Sequence, residues 1–291
     1  MEYTTASFPS PADGLALVSH RWEAVDTPRG IVQIAHGVAE HALRYTRLAD
    51  ALTAAGYTVY ANDHRGHGES VGAGVALGSF GAAGWPGLVG DAIAFGERIH
   101  AAEDPGLPLF LVAHSMGSFA AQQILLDRSD LYAGVVLSGT TALDLMAQAL
   151  AAAGDGPVDL TMFNAGFENR TGYEWLSRDP AEVDAYVADP LSGFDLADDT
   201  VPQLFSAAAR LADPAALAGI RPDLPVLIVS GEDDPLSGKG ALVEAVASRY
   251  RAAGLRDVEL TVYPGARHEI FNETNRDAIT ADVIRWLDAH R

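Results

Sequence analysis

An α/β architecture, with a mostly parallel central sheet, helices on both faces and an inserted helical cap, is what this 291-residue chain predicts. Three observations carry it. Short apolar runs alternate with helical stretches, a small-residue turn carrying a serine joins one such run to a helix, and a helical insertion interrupts the alternation late in the chain.

Residues 1–30 read as an antiparallel edge with a turn at Pro11-Ala12-Asp13-Gly14. Ile31-Val32-Gln33-Ile34-Ala35 is the first buried strand. Leu43, Leu48 and Leu52 mark one helical face, Gly56 closes that helix, and Tyr57 to Ala61 is the next strand. A helix from about Leu88 to Ala102 precedes the apolar strand Leu109-Phe110-Leu111-Val112-Ala113. Next come a helix through Leu126 and a strand at Val135-Val136-Leu137. The closing units are a strand at Val226, a helix from about Lys239 to Ala253, a strand from Val258 to Tyr263 and a last helix from about Asn275 to His290.

The interruption sets the domain organisation: a core of residues 1–140 and 214–291, and a cap of residues 141–213. The cap carries Met146, Leu150, Met162, Phe163, Phe167, Tyr173, Trp175, Phe194 and Phe205. Most of these are expected to form the cap's own core. A cap over the active edge of the sheet must also turn some of them inward, making a dry, apolar tunnel.

Composition narrows the function. Hydrophobic content of 48% and charged content of 20% suit a soluble globule with a large core. The absence of cysteine removes disulfides, thiolate metal sites and cysteine nucleophiles, and it fits a reducing cytoplasm. Met1-Glu2-Tyr3-Thr4-Thr5 does not read as a secretion signal, and no apolar run approaches the roughly 18 residues that span a bilayer. A net charge of −20 repels phosphate backbones and anionic membrane surfaces, so nucleic acid is excluded as a partner.

The chemistry is concentrated where strands end. In Ala113-His114-Ser115-Met116-Gly117 an apolar strand runs into a serine flanked by small residues, and a helix follows. That is the pattern of a nucleophile elbow, in which a strained turn exposes the serine hydroxyl and aims the next backbone N–H at the reaction centre. The bland alternative is that Ser115 caps a helix. A hydrolytic serine also needs a base and an acid to orient it, in the order Ser, Asp or Glu, His. The strand at Val226 ends in Gly231-Glu232-Asp233-Asp234-Pro235, and the strand at Val258 ends in Pro264-Gly265-Ala266-Arg267-His268-Glu269. Pro235 biases Asp234 toward an extended conformation that projects from the turn, whereas Asp233 is able to cap the following helix. His268 is the expected base. Acyl transfer further needs donors for the developing oxyanion. Met116 N–H supplies one, and Val38 N–H, in the turn that Gly37 allows, supplies the other. Glu40 reads as a partner of a helix dipole. His64 and His67 have metal-like spacing without a third ligand, so no metal and no cofactor is expected.

Four phrases together resemble the monoacylglycerol lipases and related lysophospholipase-like serine hydrolases of the α/β-hydrolase superfamily. They are His36-Gly37-x-x-Glu40-His41-x-x-Arg44-Tyr45, Asp63-His64-Arg65-Gly66-His67-Gly68-x-Ser70, His114-Ser115-Met116-Gly117 and His268-Glu269-x-Phe271-Asn272-Glu273. Leu176-Ser177-Arg178-Asp179 and Asp189-Pro190-Leu191 extend the likeness into the cap. Ala113 and Gly117-Ser118 depart from the commoner glycines around the serine. The resemblance implies an α/β-hydrolase fold with Ser115 as nucleophile, Asp234 as acid, His268 as base, and Val38 and Met116 as oxyanion donors. It also implies an amphipathic cap that admits a lipid-like ester and leaves room for transient contact with lipid aggregates. An aminopeptidase, which would recruit Glu168 or Glu174 to hold a substrate amine, a lactonase, an acyltransferase and a non-catalytic receptor remain the rivals.

Overall fold

The computed structural model describes residues 2–72, 74–153 and 159–291. Residues 154–158 of the expected cap lie outside the described residues. Strands β1 (Thr4–Pro9), β2 (Ala16–Trp22), β3 (Gly30–Ala35), β4 (Tyr57–Asn62), β5 (Leu109–His114), β6 (Gly134–Ser138), β7 (Val226–Gly231) and β8 (Val258–Tyr263) form one eight-stranded sheet in the order β1-β2-β4-β3-β5-β6-β7-β8. β1 pairs antiparallel with β2 and β2 with β4. Every other pairing is parallel. The turn between β1 and β2 is closed by Asp13 Oδ1, which accepts from Leu15 N at 3.1 Å, and by Gly14 at φ 77°.

The parallel strands need crossovers, and helices supply them on both faces. α1 (Thr46–Ala54) and α10 (Arg276–Ala289) cover one face; α2 (Gly84–Ala102), α3 (Met116–Arg128) and α9 (Ala241–Ala252) cover the other. The strand periodicity divides the core accordingly. Ile31, Leu109, Leu111 and Ala113 pack toward α2 and α3, while Val32, Ile34, Phe110 and Val112 pack toward α1 and α10. Helices begin and end within a few residues of the positions that the sequence predicts. The largest difference is that the Leu43 segment is a separate 3₁₀ turn, Ala42–Tyr45, leading into α1.

Between β6 and β7 lie α4 (Leu143–Ala153), a 3₁₀ turn at Leu160–Asn164, α5 (Pro180–Ala188), α6 (Thr200–Phe205), α7 (Ala208–Leu211) and α8 (Pro214–Leu217). This segment does not bury its apolar side chains in a core of its own. Leu143, Met146, Trp175, Leu176, Tyr186, Leu204, Leu211 and Leu217 belong to the same cluster as the α2–α3 face of the sheet. The expectation of a separate cap core is thereby corrected: helices this short cannot enclose a core, so they share that of the sheet. No helix among the described residues is long and apolar enough to cross a membrane.

Candidate active site

Because β3, β5, β7 and β8 run parallel, their carboxyl ends open on one rim of the sheet, the place where open α/β sheets bind ligands. At the end of β5, Ser115 holds φ 50° and ψ −121°, a conformation that L-residues avoid. It occupies the N-cap position of α3, yet its side chain makes no capping bond, so the bland alternative fails. Ser115 N donates to Ser138 O at 2.9 Å, and Ser118 Oγ donates to Ser115 O at 2.6 Å, pinning the turn from both sides. The small flanking residues have a steric cause. A Cβ on Gly117 would come within 2.3 Å of Ala35 O and 2.6 Å of His36 O.

Asp234 and His268 come together at the ends of β7 and β8, where His268 Nδ1 lies 3.0 Å from Asp234 Oδ2. The Nδ1–H therefore donates to the carboxylate, and Nε2 is left as the acceptor. Asp234 Oδ1 also accepts from Leu236 N at 2.8 Å. The capping that the sequence offered to Asp233 thus falls to Asp234, while Asp233 pairs with exposed Lys239. The His268 ring sits between His114 at 4.7 Å and Trp175 at 4.8 Å. Its backbone N donates to Trp175 O at 3.3 Å, and Glu269 N donates to Leu176 O at 2.8 Å, so the α4–α8 segment holds the histidine loop. Burial pushes the His268 imidazolium down, but the charge and hydrogen bond of Asp234, aided by Glu269 and Glu40, lift it above its ordinary value. His114, with no such carboxylate, is pushed well below its ordinary value by burial and by His268.

Ser115 and His268 line one small cavity with Gly37, Val38, Glu40, His114 and Tyr186. Ser115 also lines a narrow apolar chamber with Val38, Met116, Phe119, Met146, Phe163, Trp175, Leu204 and Phe205. Apart from Ser115, the side-chain polar groups of the described residues lining this chamber are the Thr200 hydroxyl and the Trp175 indole N–H. Of the aromatics singled out in the sequence, Phe163, Trp175 and Phe205 reach the chamber. Phe167 lies under Arg267, Tyr173 against Tyr186, and Phe194 against His67. Among the described residues, neither Val38 N–H nor Met116 N–H donates a hydrogen bond, and Met116 is the first residue of α3, whose amide has no helical acceptor.

Sequence reasoning missed what holds the Val38 turn. Glu40, expected as a partner of a helix dipole, is buried and accepts from Gly37 N and, at 2.8 Å, from Tyr45 Oη. Arg44 bridges it to Glu269, with Nη1 2.8 Å from Glu40 Oε2 and Nη2 2.8 Å from Glu269 Oε2, and its guanidinium lies 4.8 Å over the Tyr186 ring. Burial raises the Glu40 carboxyl above its ordinary value against the pull of Arg44. Ala39 at φ 53° completes the turn, its carbonyl accepting from Tyr186 Oη at 3.0 Å and Gly193 N at 2.9 Å. The four-residue spacing of Glu40 and Arg44 was visible in the sequence; Glu269, 225 positions from Arg44, was not. His64 and His67 form a buried group with His36, whose Nε2 accepts from His64 N at 2.9 Å. Burial pushes His64 down to about 3 and His67 to about 4.

A parallel sheet with a serine on a strained strand-to-helix turn and an Asp–His pair on the next loops of the same rim defines the α/β-hydrolase class. The chain belongs to the family described as serine aminopeptidase, S33, which matches residues 26–275. It is 33% identical to a monoacylglycerol lipase of Mycolicibacterium smegmatis over 95% of this chain and 94% of that protein. With a monoglyceride lipase of Homo sapiens it shares 31% identity over 95% of this chain and 88% of that one. Among solved structures, a thermostable carboxyl esterase from Bacillus coagulans in complex with glycerol superposes with a TM-score of 0.86 at 26% identity, covering 100% of this chain and 99% of the other.

The buried charges at the Val38 turn give a stability prediction. Arg44→Met strands two buried carboxylates, and breaking such a network costs about 3–5 kcal/mol. Urea denaturation should show a loss of that size, and a loss under about 1 kcal/mol would mean that Arg44 is not the common partner.

Proposed function

We propose that this protein hydrolyses carboxylic esters of monoacylglycerols and similar lipids in two steps through an acyl-enzyme on Ser115, with no cofactor. The observation that carries the reading is the convergence on one rim of a strained serine, an Asp-oriented imidazole and two free amides, with the serine and the two amide-bearing residues against an apolar chamber. The ester carbonyl lies next to Ser115, with its acyl chain in the chamber and its alcohol portion toward the small cavity that His268 and Glu40 line. His268 Nε2 takes the hydroxyl proton as Ser115 attacks, Asp234 stabilises the imidazolium, and Val38 N–H and Met116 N–H receive the oxyanion. His268 then protonates the leaving alcohol and activates the water that cleaves the acyl-enzyme. The relatives named above, a monoacylglycerol lipase, a monoglyceride lipase and a carboxyl esterase, support this substrate class.

Residues 141–213 act in this reading as a cap over the nucleophile, with residues 1–140 and 214–291 as the hydrolase core. The lack of cysteine suits a cytoplasmic setting, and the net charge of −20 opposes nucleic acid as a partner.

The family description makes an aminopeptidase the natural rival, and the site's carboxylates weigh against it. Glu174 accepts hydrogen bonds from Thr171 N, Thr171 Oγ1, Gly172 N and Asn164 Nδ2. Burial pushes its carboxyl up, but those bonds prevail and hold it at about 2, fully committed within its own loop. Glu168 lines a cleft of about 560 Å³ with Asp233, Asp234, Lys239 and Arg267, which among the described residues shares no lining residue with the apolar chamber. Neither faces the apolar chamber.

Ser115→Ala should lower the turnover of an acyl glycerol ester by about 10⁴-fold or more while leaving the circular dichroism spectrum unchanged; activity within tenfold of the parent would refute the mechanism. Since the base must be neutral, kcat/KM should fall as pH drops through the His268 pKa. That pKa lies above the ordinary 6.5, which sets the acid limb of the profile above 6.5. Asp234→Asn should cost about 10⁴-fold and Asp233→Asn only a fewfold, and the reverse order would exchange their roles. The chamber sets chain-length preference. Each methylene it buries contributes about 0.8 kcal/mol, so kcat/KM should rise roughly fourfold per added methylene until the chamber is full. Leu204→Phe should bring that plateau to shorter chains in a graded ester series, and an unchanged profile would place the acyl chain elsewhere.

A further inference from the structure

Far from the catalytic rim, β8 and α10 bring together three metal-ligating side chains: Asp257, Glu259 and His290. Asp257 immediately precedes β8 and Glu259 lies within it. Two positions apart on an extended chain, they face the same side of the sheet, the side that α10 covers. His290 follows the last turn of α10. One potential ligand atom from each residue lies within 4.8 Å of the others.

The imidazole is arranged as a ligand. His290 Nδ1 lies 2.7 Å from Trp286 O, which only accepts, so Nδ1 carries a proton. Nε2 therefore faces Asp257 Oδ2 at 3.0 Å across a gap that a cation or a second proton must fill. A backbone carbonyl on the distal ring nitrogen is the usual support of a metal-bound histidine. The Trp286 ring, 4.3 Å from the imidazole, fixes its plane. Glu259 is exposed and has no ion pair or hydrogen bond among the described residues, so its carboxylate and that of Asp257 are both open to a cation. A divalent ion balances both, and a groove of about 340 Å³, lined by Glu259, Trp286, Arg285 and His290, gives it access from solvent.

We infer that Asp257, Glu259 and His290 form a site for a divalent transition metal of the zinc class, which staples the last helix to the edge strand of the sheet. One nitrogen and two carboxylate oxygens match the ligand preferences of Zn²⁺, and small rotations of the two exposed carboxylates bring all three to the roughly 2.0–2.2 Å that it requires. The remaining positions are filled by water. Joining the start of β8 to the end of the chain, the ion stabilises the folded state without touching the hydrolytic residues.

The test uses untagged, chelator-treated full-length protein and Zn²⁺ itself. Titration calorimetry should give one saturable equivalent per chain. Thermal unfolding should rise by about 5 °C at a hundredfold excess over Kd, reversed by EDTA. Asp257→Asn, Glu259→Gln and His290→Gln should each weaken binding at least tenfold and abolish the rise. Asp198→Asn, an exposed carboxylate elsewhere, should leave both intact. Ester hydrolysis by metal-free Glu259→Gln should match the parent, showing that the variant folds. Co²⁺ should give d–d absorption bands that are lost in His290→Gln. Absence of the thermal rise, or binding indifferent to the three substitutions, would overturn the site and leave an ordinary His290–Asp257 ion pair.

Discussion

The backbone of Ser115 is the constraint on which the rest of the structure depends. A positive φ at a residue with a side chain costs on the order of 1–3 kcal/mol and survives only where its surroundings over-determine it. Here β6 fixes the turn from one side through the bond from Ser115 N to Ser138 O, and α3 fixes it from the other through the Ser118 and Phe119 amides, which both donate to Ser115 O. The close approach of α3 to the end of β3 then leaves no space for a Cβ at Gly117. Strain at one residue thus dictates the small residues around it and leaves the hydroxyl free of any capping bond.

The electrostatics of the rim follow from who has a carboxylate. Burial drives His36, His64, His67 and His114 toward the neutral form, and His268 is equally buried. Asp234 distinguishes it, with Glu269 and Glu40 behind. Arg44, held between those two glutamates, keeps a pair of buried acids compatible with the fold. The same side chains therefore anchor the Val38 turn and bias the neighbouring imidazole toward accepting a proton.

Topology accounts for the convergence. Asp234 and His268 follow adjacent strands, β7 and β8, while Ser115 follows β5, with β6 between. The residue after β6 must make room for the rings that meet above it. A Cβ on Gly139 would fall 2.6 Å from His114 Cε1 and 2.8 Å from His268 Cε1, and its φ of 53° also suits glycine.

Short-range spacing was enough to read the strands and helices, the order of serine, carboxylate and histidine along the chain, and no more than a leaning toward Asp234 over Asp233 from Pro235. These depend on periodicity and on the conformational limits of individual residues, which the chain carries locally. Glu269 beneath Arg44, the His268 loop resting on Trp175, and the sharing of one core by the sheet and the inserted helices were not legible. Each joins segments distant in sequence whose distance in space is set by strand order. The protein's chemistry was determined by its sequence, because residue types in a given order admit few reactions. Its geometry, and the field that tunes one imidazole apart from its neighbours, were decided only when the tertiary fold brought buried charges within a few ångströms and removed the water that would have screened them.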